Sequence, residues 1–324
     1  GVIDHIPHLR DKHALVLALS ARRRLRAAQV LGKVDVTFLH TQRVAHLLVD
    51  WMRKNPTFLS IDGTPSSLEQ YREVYGLSPQ KGTAYASVRD LVHRRTYHAA
   101  QGIICMSSLV RDAIVQTYGV EVARTLVLLP GVDIARWSPG QVRKSRGEVR
   151  LLFVGGDFAR KGGAELLRWA RTTKAVGWSL DVVTEERVES SARVRVHAPF
   201  KASDPGLIDL MRRAHLLVLP TKADLSPWVV AEAKATGTPV LTTRVGALPE
   251  MVRDGVDGWL IDRDDPEALS LRLDAAIQQP ARLSEFGIRG REDAELRFNS
   301  SRNAELLLDF MGVTQERERA LLGH

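Results

Sequence analysis

The chain has 324 residues and a mass of 36.0 kDa, which at about 100–200 residues per domain predicts two domains. Hydrophobic residues make up 44% and charged residues 26%, an ordinary globular composition that excludes disordered, collagen-like and fibrous chains. The net charge of +8 is unevenly placed, with 22 Lys/Arg against 12 Asp/Glu in residues 1–150 and 24 against 26 in residues 151–324. A basic half and a near-neutral half predict different partners for each. The single cysteine, Cys105, excludes an internal disulfide framework and fits a reducing compartment. It lies in Gly102–Met106, which reads as a core strand, so a buried structural thiol is expected. No apolar run approaches the roughly 18–20 residues that span a bilayer, and no signal peptide is recognisable. The first residue is Gly, not Met, which is compatible with a processed N-terminus or with a preceding segment, a targeting segment included.

In the first half, helices are expected at His13–Leu31, Val44–Arg53, Ala84–Ala99 and Leu109–Tyr118. Strands are expected at Val34–Leu39, Thr57–Ile61, Ile103–Met106 and Leu126–Leu129. No strand precedes the first helix. Residues 137–146 have linker composition and set an expected domain boundary at 140/141. The second half alternates more cleanly. Strands are expected at Arg150–Val154, Ser179–Val183, Val194–His197, Leu216–Leu219, Pro239–Thr242 and Gly258–Ile261. Helices are expected at Gly163–Ala175, Asp204–Arg213, Pro227–Thr236, Leu248–Asp254 and Pro266–Gln278, with a further helical region over 303–311. Strands apolar throughout and separated by helices predict a parallel sheet covered on both faces, a doubly wound α/β domain.

Three loops at strand C-terminal ends carry the chemistry. The first is Gly155-Gly156-Asp157-Phe158-Ala159-Arg160-Lys161-Gly162-Gly163, which opens a helix. Its glycines permit close backbone approach, and the helix start with a cation suits an anion such as phosphate. The spacing is neither the dinucleotide fingerprint nor a P-loop, so a plain strand–turn–helix joint is an equal reading. The second is Thr221–Glu232. Here Ser226 is a candidate N-cap and Pro227 suits the first helical position, with Glu232 near the second turn. A loop acid at Asp224 and a solvated Glu232 are the plainer alternatives. The third is Gly237–Glu250, where a small-residue loop at Gly246 leads to Glu250 in a helical first turn; dipole complementation is the plainer account of Glu250.

The order of these loops resembles the donor domain of GT-B glycosyltransferases, specifically the retaining glycosyltransferase family 4 (glycosyl transferases group 1). The resemblance covers roughly residues 100–300. It is strongest over Leu216–Ile261, with Gly237-Thr238-Pro239-Val240 and Asp257-Gly258-Trp259-Leu260-Ile261, and extends to Leu128-Leu129-Pro130-Gly131-Val132-Asp133. It implies two Rossmann-like domains facing across a cleft. Residues 1–140 would be the acceptor side, lacking its first strand and that strand's glycine loop, and 141–300 the nucleotide-sugar donor domain. Helices over 301–324 would cross back to the first domain. Lys161 would contact the donor diphosphate, Asp224 the transferred sugar, and Glu232 the nucleotide ribose. Gly155, Gly156 and the backbone of Leu225 and Ser226 would lie against donor oxygens.

This chain departs from the pattern at three points. The first acid of the E-x7-E motif is Asp224, whose carboxylate reaches about 1.5 Å less far than Glu. Gly156 stands where the family has arginine, so Arg160 becomes the candidate replacement cation. Asp62, in Ile61-Asp62-Gly63-Thr64-Pro65, stands where many relatives have histidine and is a candidate acceptor or sugar contact, with a turn-forming Asp-Gly as the alternative.

The resemblance implies sugar transfer from a nucleotide-diphosphate sugar, UDP- or GDP-linked, to an acceptor hydroxyl with retention of configuration. No cofactor is expected, and no metal-ligand spacing is present. The histidines His5, His8, His13, His40, His46, His93 and His98 are spread without ligand spacing, and most of them are expected at the surface or in caps. Residues 9–31 read as an amphipathic helix, with Leu9, Leu15, Leu17, Leu19 and Leu25 beside Arg22, Arg23, Arg24 and Arg26. Such a helix fits either ordinary packing or peripheral contact with an anionic membrane, with a lipid-linked or polysaccharide acceptor and a cytoplasmic location. A GT-B non-transferase, such as an epimerase or a disaccharide phosphorylase, is the alternative. Nucleic-acid binding is disfavoured because the arginine cluster contains no stacking aromatics.

Overall fold

The computed structural model describes residues 12–32, 34–76, 82–140, 147–201 and 203–313. The chain forms two compact units, residues 1–128 with 305–324 and residues 129–304.

Unit 1 runs α1 (Lys12–Leu31), β1 (Thr37–His40), α2 (Gln42–Ala45), α3 (Val49–Met52), β2 (Thr57–Ile61), α4 (Pro65–Leu68), α5 (Gly82–Ala99), β3 (Gly102–Cys105), α6 (Ser108–Tyr118) and β4 (Thr125–Val127). The four strands among the described residues of this unit are parallel, in the order β1-β2-β3-β4. Strands β2 and β3 are buried along their whole length, Thr57 and Ser60 included, as interior strands of a covered parallel sheet should be. Ser107 caps α6 by accepting from Val110 N at 3.2 Å, and Gly119, left-handed at φ 71°, ends it. Cys105 is fully buried, and burial pushes its thiol up to about 12.

The helix expected over 44–53 is two short helices. Between them Leu48 leaves the helical region (φ −112°, ψ 9°) and is buried at 1% exposure, while His46 Nδ1 meets Thr96 Oγ1 at 2.8 Å. Core packing and that side-chain bond take precedence over a continuous helix. One of the histidines is an exception to the expected surface placement. His93 is buried, bonds Tyr97 at 3.1 Å and stacks edge-on against His46 at 4.6 Å, filling the space beside Tyr118. His5 and His8 lie outside the described residues, as does the side chain of His13. Helix α1 turns Ala18, Ala21 and Leu25 inward, whereas Leu17 and Leu19 are exposed with Arg22, Arg23, Arg24 and Arg26. Of the leucines that the sequence emphasises, Leu25 packs inward beside Ala18 and Ala21 while Leu17 and Leu19 face outward; Leu9 and the side chain of Leu15 lie outside the described residues.

Unit 2 runs β5 (Val149–Val154), α7 (Gly163–Thr172), β6 (Trp178–Val183), β7 (Val194–His197), α8 (Pro205–Arg213), β8 (Leu216–Leu219), α9 (Trp228–Ala235), β9 (Val240–Thr243), α10 (Leu248–Met251), β10 (Gly258–Ile261), α11 (Pro266–Gln278), α12 (Pro280–Arg297) and the start of α13 (Ser300–Phe310). All six strands are parallel, in the order β10-β9-β8-β5-β6-β7. From β5 the chain first winds outward through β6 and β7, then returns to β8 on the other side of β5. This reversal is a topological switch point, where open α/β sheets place their ligands outside the strand C-terminal ends.

The units divide at 128/129 and not at the expected 140/141, because residues 129–140 pack within unit 2. Val132 exchanges backbone bonds with Phe298 and Ser300 at 2.7 and 3.0 Å, Trp137 is 2% exposed, and Arg212 and Arg291 donate to the Ser138 and Trp137 carbonyls. Residues 305–313 group with unit 1, where Phe310 stacks on Phe58 at 5.7 Å.

Behind the sheet, α9 and α12 enclose a charged core. Lys234 is fully buried and lies 2.5 Å from Asp293 and 3.2 Å from Asp257, also donating to the Met251 carbonyl at 2.7 Å. Burial pulls the Lys234 ammonium below its ordinary value against the opposing pull of Asp257 and Asp293. Burial also opposes charge on Asp293, but Arg297 and Lys234 outweigh it and hold that carboxyl low.

Candidate functional site

Strands β5, β8 and β9 are neighbours in the sheet, so the loops that leave their C-terminal ends come together although the sequence separates them. The first loop leaves β5 through Gly155 and Gly156 and turns into α7 at Gly162. A Cβ on Gly155 would press Lys161 Cβ and Cγ at 3.0 Å, and one on Gly162 (φ 80°) would overlap the Pro220 carbonyl. At Gly162 backbone thus approaches backbone as only glycine allows. Gly156 is exposed, and a Cβ there would meet nothing nearer than Glu185 at 3.8 Å.

The second loop, after β8, is tied to the first at several points. Lys222 N donates to the Arg160 carbonyl at 2.8 Å, and Arg160 Nη1 donates to the Ala223 carbonyl at 2.7 Å. Lys161 Nζ forms an ion pair with Asp224 Oδ2, both side chains being largely enclosed. The third loop, after β9, joins through Thr243 Oγ1 to the Thr221 carbonyl at 2.6 Å and Ala247 N to the Leu225 carbonyl at 2.9 Å. Gly246 (φ 53°) lies so close to the Asp224 carbonyl that a Cβ would overlap it.

Lys161, Asp224, Gly155, Arg160, Leu225, Ser226 and Gly246 are therefore brought together within unit 2. Arg160 is engaged by Asp157 at 2.8 Å as well as by Ala223, so its guanidinium braces the loops. The helix after the second loop starts one residue later than expected. Pro227 (φ −71°, ψ 117°), not Ser226, is the N-cap, its carbonyl accepting from Val230 N at 3.1 Å, and Trp228 is the first helical residue. Glu232 sits on the next turn of α9. Burial raises its carboxyl from 4.5 to about 7, and no described residue bonds or pairs with that carboxylate. Glu250 is half-buried on α10, where Arg297 donates to its carbonyl at 2.7 Å. Asp62 belongs to unit 1, exposed at the C-terminal end of β2. The following Gly63 carbonyl accepts from Gln42 at 2.8 Å, and Thr64 opens a capping box with Ser67.

Several contributors escape sequence reasoning. Thr221 and Thr243 brace the loops through hydroxyls, and Lys222 pairs with Glu165 at 2.8 Å, which raises the lysine's pKa. Trp228 is 51% exposed at the start of α9. Only an apolar residue in a helical first turn could have pointed to it. Among the described residues no group of three or more His, Cys, Asp or Glu is placed to hold a metal ion.

The three loops fall inside residues 140–293, which match the family model described as glycosyl transferases group 1. This segment belongs to that family. The group 1 domain is accompanied by similarity along more of the chain. A D-inositol 3-phosphate glycosyltransferase of Catenulispora acidiphila is 31% identical over 69% of this chain and 58% of its own length. The chain spans 47% to 58% of the length of the first curated relatives it matches. Among solved structures, sucrose-phosphate synthase from Thermosynechococcus elongatus has a TM-score of 0.69 at 17% identity, covering 92% of this chain and 76% of that one. The Anabaena protein HepE, solved with UDP, has a TM-score of 0.65 at 16% identity, covering 93% and 82%. The fold class is GT-B, and the group 1 domain is its unit 2.

Proposed function

We propose that the protein is a retaining glycosyltransferase that moves a sugar from a nucleoside-diphosphate sugar to an acceptor hydroxyl. The observation that carries this reading is the convergence of three braced loops at the switch point of the group 1 domain. They set a Lys161–Asp224 pair near the start of α9, the helix that carries the unpartnered Glu232. Lys161 meets the charge that develops on the departing diphosphate, a preorganised cation in an enclosed site. The first-turn N–H groups of Trp228 and Val229 add donors, with those of Leu225 and Ser226 before them, while Pro227 has none. Asp224 accepts a hydroxyl of the transferred sugar, and Glu232 accepts the ribose hydroxyls. Gly155, Gly156 and Gly246 leave room for the donor, Arg160 holds the loops, Glu250 lies on the helix that follows the third loop, and Asp62 contacts the acceptor. No cofactor is invoked; a UDP- or GDP-sugar is the donor, in keeping with the HepE structure that contains UDP-glucose.

The acceptor belongs to unit 1 in this reading. There α1 exposes Val16, Leu17 and Leu19 together with Arg22, Arg23, Arg24 and Arg26, a surface suited to peripheral contact with an anionic membrane and a lipid-linked acceptor. No helix among the described residues is long and apolar enough to cross a membrane. Calorimetric titration with UDP, GDP, ADP and their sugars tests the donor reading, with Lys161→Ala and Glu232→Ala in parallel. Binding of none of these, or undiminished binding by both variants, rejects it.

A further inference from the structure

Unit 1 holds a cavity of about 510 Å³ where the chain enters β2 and β3. Arg53, Lys54 and Pro56 come from the segment before β2, and Arg95, His98 and Gln101 from the end of α5 and its exit into β3. The strands are parallel, so this is the end of the sheet opposite Asp62 and the other strand C-terminal loops of the unit. The volume lies within the roughly 300–1,000 Å³ of small-molecule sites.

The lining is one-sided in charge. It contains no carboxylate, and the exposed side chains of Arg53, Lys54 and Arg95 have no hydrogen bond or ion pair with any described residue. Five backbone acceptors around the cavity are already engaged. Arg124 donates to the carbonyls of His98 at 3.2 Å, Gln101 at 3.4 Å and Ala100. The Pro56 carbonyl accepts from Thr37 N at 2.8 Å, and the Asn55 carbonyl from Thr57 Oγ1 at 2.9 Å. The negative end of the α5 dipole, which would repel an anion, is thereby answered by Arg124. The charged side chains that remain to face a ligand are cationic donors. Guanidinium groups bind phosphate in bidentate fashion, and a lysine adds a mobile point charge.

We propose that this cavity is an anion-binding site for a small phosphate-bearing molecule, separate from the donor site of unit 2. The two sites lie in different units and share no residue, so this inference stands apart from the transferase reading.

Inorganic pyrophosphate is the probe, titrated calorimetrically into the full chain carrying Lys161→Ala and Glu232→Ala, which silences the donor site. Binding is expected to persist in that background, to weaken with added salt, and to fall about tenfold or more when Arg53→Gln, Lys54→Gln and Arg95→Gln are added. Arg95→Glu alone should produce most of the loss. All three positions are exposed, and a circular dichroism melt confirms that each variant folds. Absence of binding in the silenced background, or unchanged affinity in the triple variant, overturns the proposal. A parallel arm uses phosphatidylglycerol vesicles. Vesicle binding that depends on these three residues, without pyrophosphate binding, would make the occupant a membrane surface and also overturn it.

Discussion

Lys161 Nζ pairs with Asp224 Oδ2, joining the glycine-rich turn after β5 to the loop after β8. The cation proposed for the diphosphate and the carboxylate proposed for the sugar thus hold each other in place. Removing either strands the other in an enclosed setting, at a cost of about 1–3 kcal/mol for the unpaired group. Lys161→Ala is expected to weaken UDP binding by about tenfold or more. Asp224→Ala, which frees the lysine, should leave UDP binding within a few-fold of wild type and lower turnover of the sugar donor. Calorimetry with UDP beside a turnover assay separates the two; equal losses of UDP affinity would show that the pair acts as a single structural unit.

Gly246→Ala adds a Cβ that overlaps the Asp224 carbonyl at a residue with φ 53°. A melting-temperature loss equivalent to about 1–3 kcal/mol is expected, with loss of UDP binding as the two loops separate. Gly156→Ala is the control, since its Cβ would meet nothing within 3.8 Å. Its stability should stay within about 0.5 kcal/mol of wild type. Similar melting curves for both variants would contradict the close approach described for Gly246.

Glu232 links the site to pH. Burial raises its carboxyl from 4.5 to about 7, so between those values the folded chain holds a proton that the unfolded chain releases. The contribution of this group to stability is therefore most favourable below about pH 4.5 and is lost as pH rises through 7. Glu232→Gln removes the titration. The variant should be more stable than wild type at pH 8, by on the order of 2–3 kcal/mol, and the gap should close toward pH 5. Thermal melts at the two pH values decide; a gap independent of pH rules out the shift.

Lys234 sits at 0% exposure between Asp257 and Asp293. Lys234→Met leaves two buried carboxylates with only their Arg253 and Arg297 partners, and a loss of about 3–5 kcal/mol is expected in urea unfolding. Adding Asp257→Asn and Asp293→Asn should recover more than half of it. A triple variant no more stable than Lys234→Met would mean that packing, not charge, dominates this core.

The outer face of α1 gives a fifth expectation. Wild-type protein should sediment with vesicles containing phosphatidylglycerol and not with phosphatidylcholine alone. Leu17→Ser with Leu19→Ser, or Arg22→Gln with Arg23→Gln and Arg24→Gln, should each cut that binding several-fold. Equal partitioning onto both lipids removes the support for an anionic membrane acceptor.

Much of the fold could be read because its strands are continuous apolar runs between Gly, Pro and Asp punctuation. Leu216–Leu219 and Gly258–Ile261 were delimited to the residue for this reason. Helix α12 was not delimited. Its buried positions include Gly287, Gly290, Asp293 and Ala294 beside Leu283 and Phe286, which blurs the apolar stripe, and at Gly287 the Gly237 carbonyl approaches too closely to admit a Cβ. The buried Lys234, Asp257 and Asp293 look like surface charges until the fold brings them together, and the same holds for His93. In the candidate site, Lys161, Asp224 and Glu232 stood out through their loops and the family motif. Thr221, Thr243 and Lys222 did not, since hydroxyl and ammonium braces act between strands that only the sheet order makes adjacent.

That adjacency sets how the site can respond to a ligand. The Lys222 amide is bound to the Arg160 carbonyl, and the Ala247 amide to the Leu225 carbonyl. The three loops are therefore tied backbone to backbone. On the function proposed above, a nucleotide entering here would be accommodated mainly by side-chain rotation. The amides of Lys222 and Ala247 should accordingly exchange with solvent at a common rate, and bound UDP should slow both by the same factor.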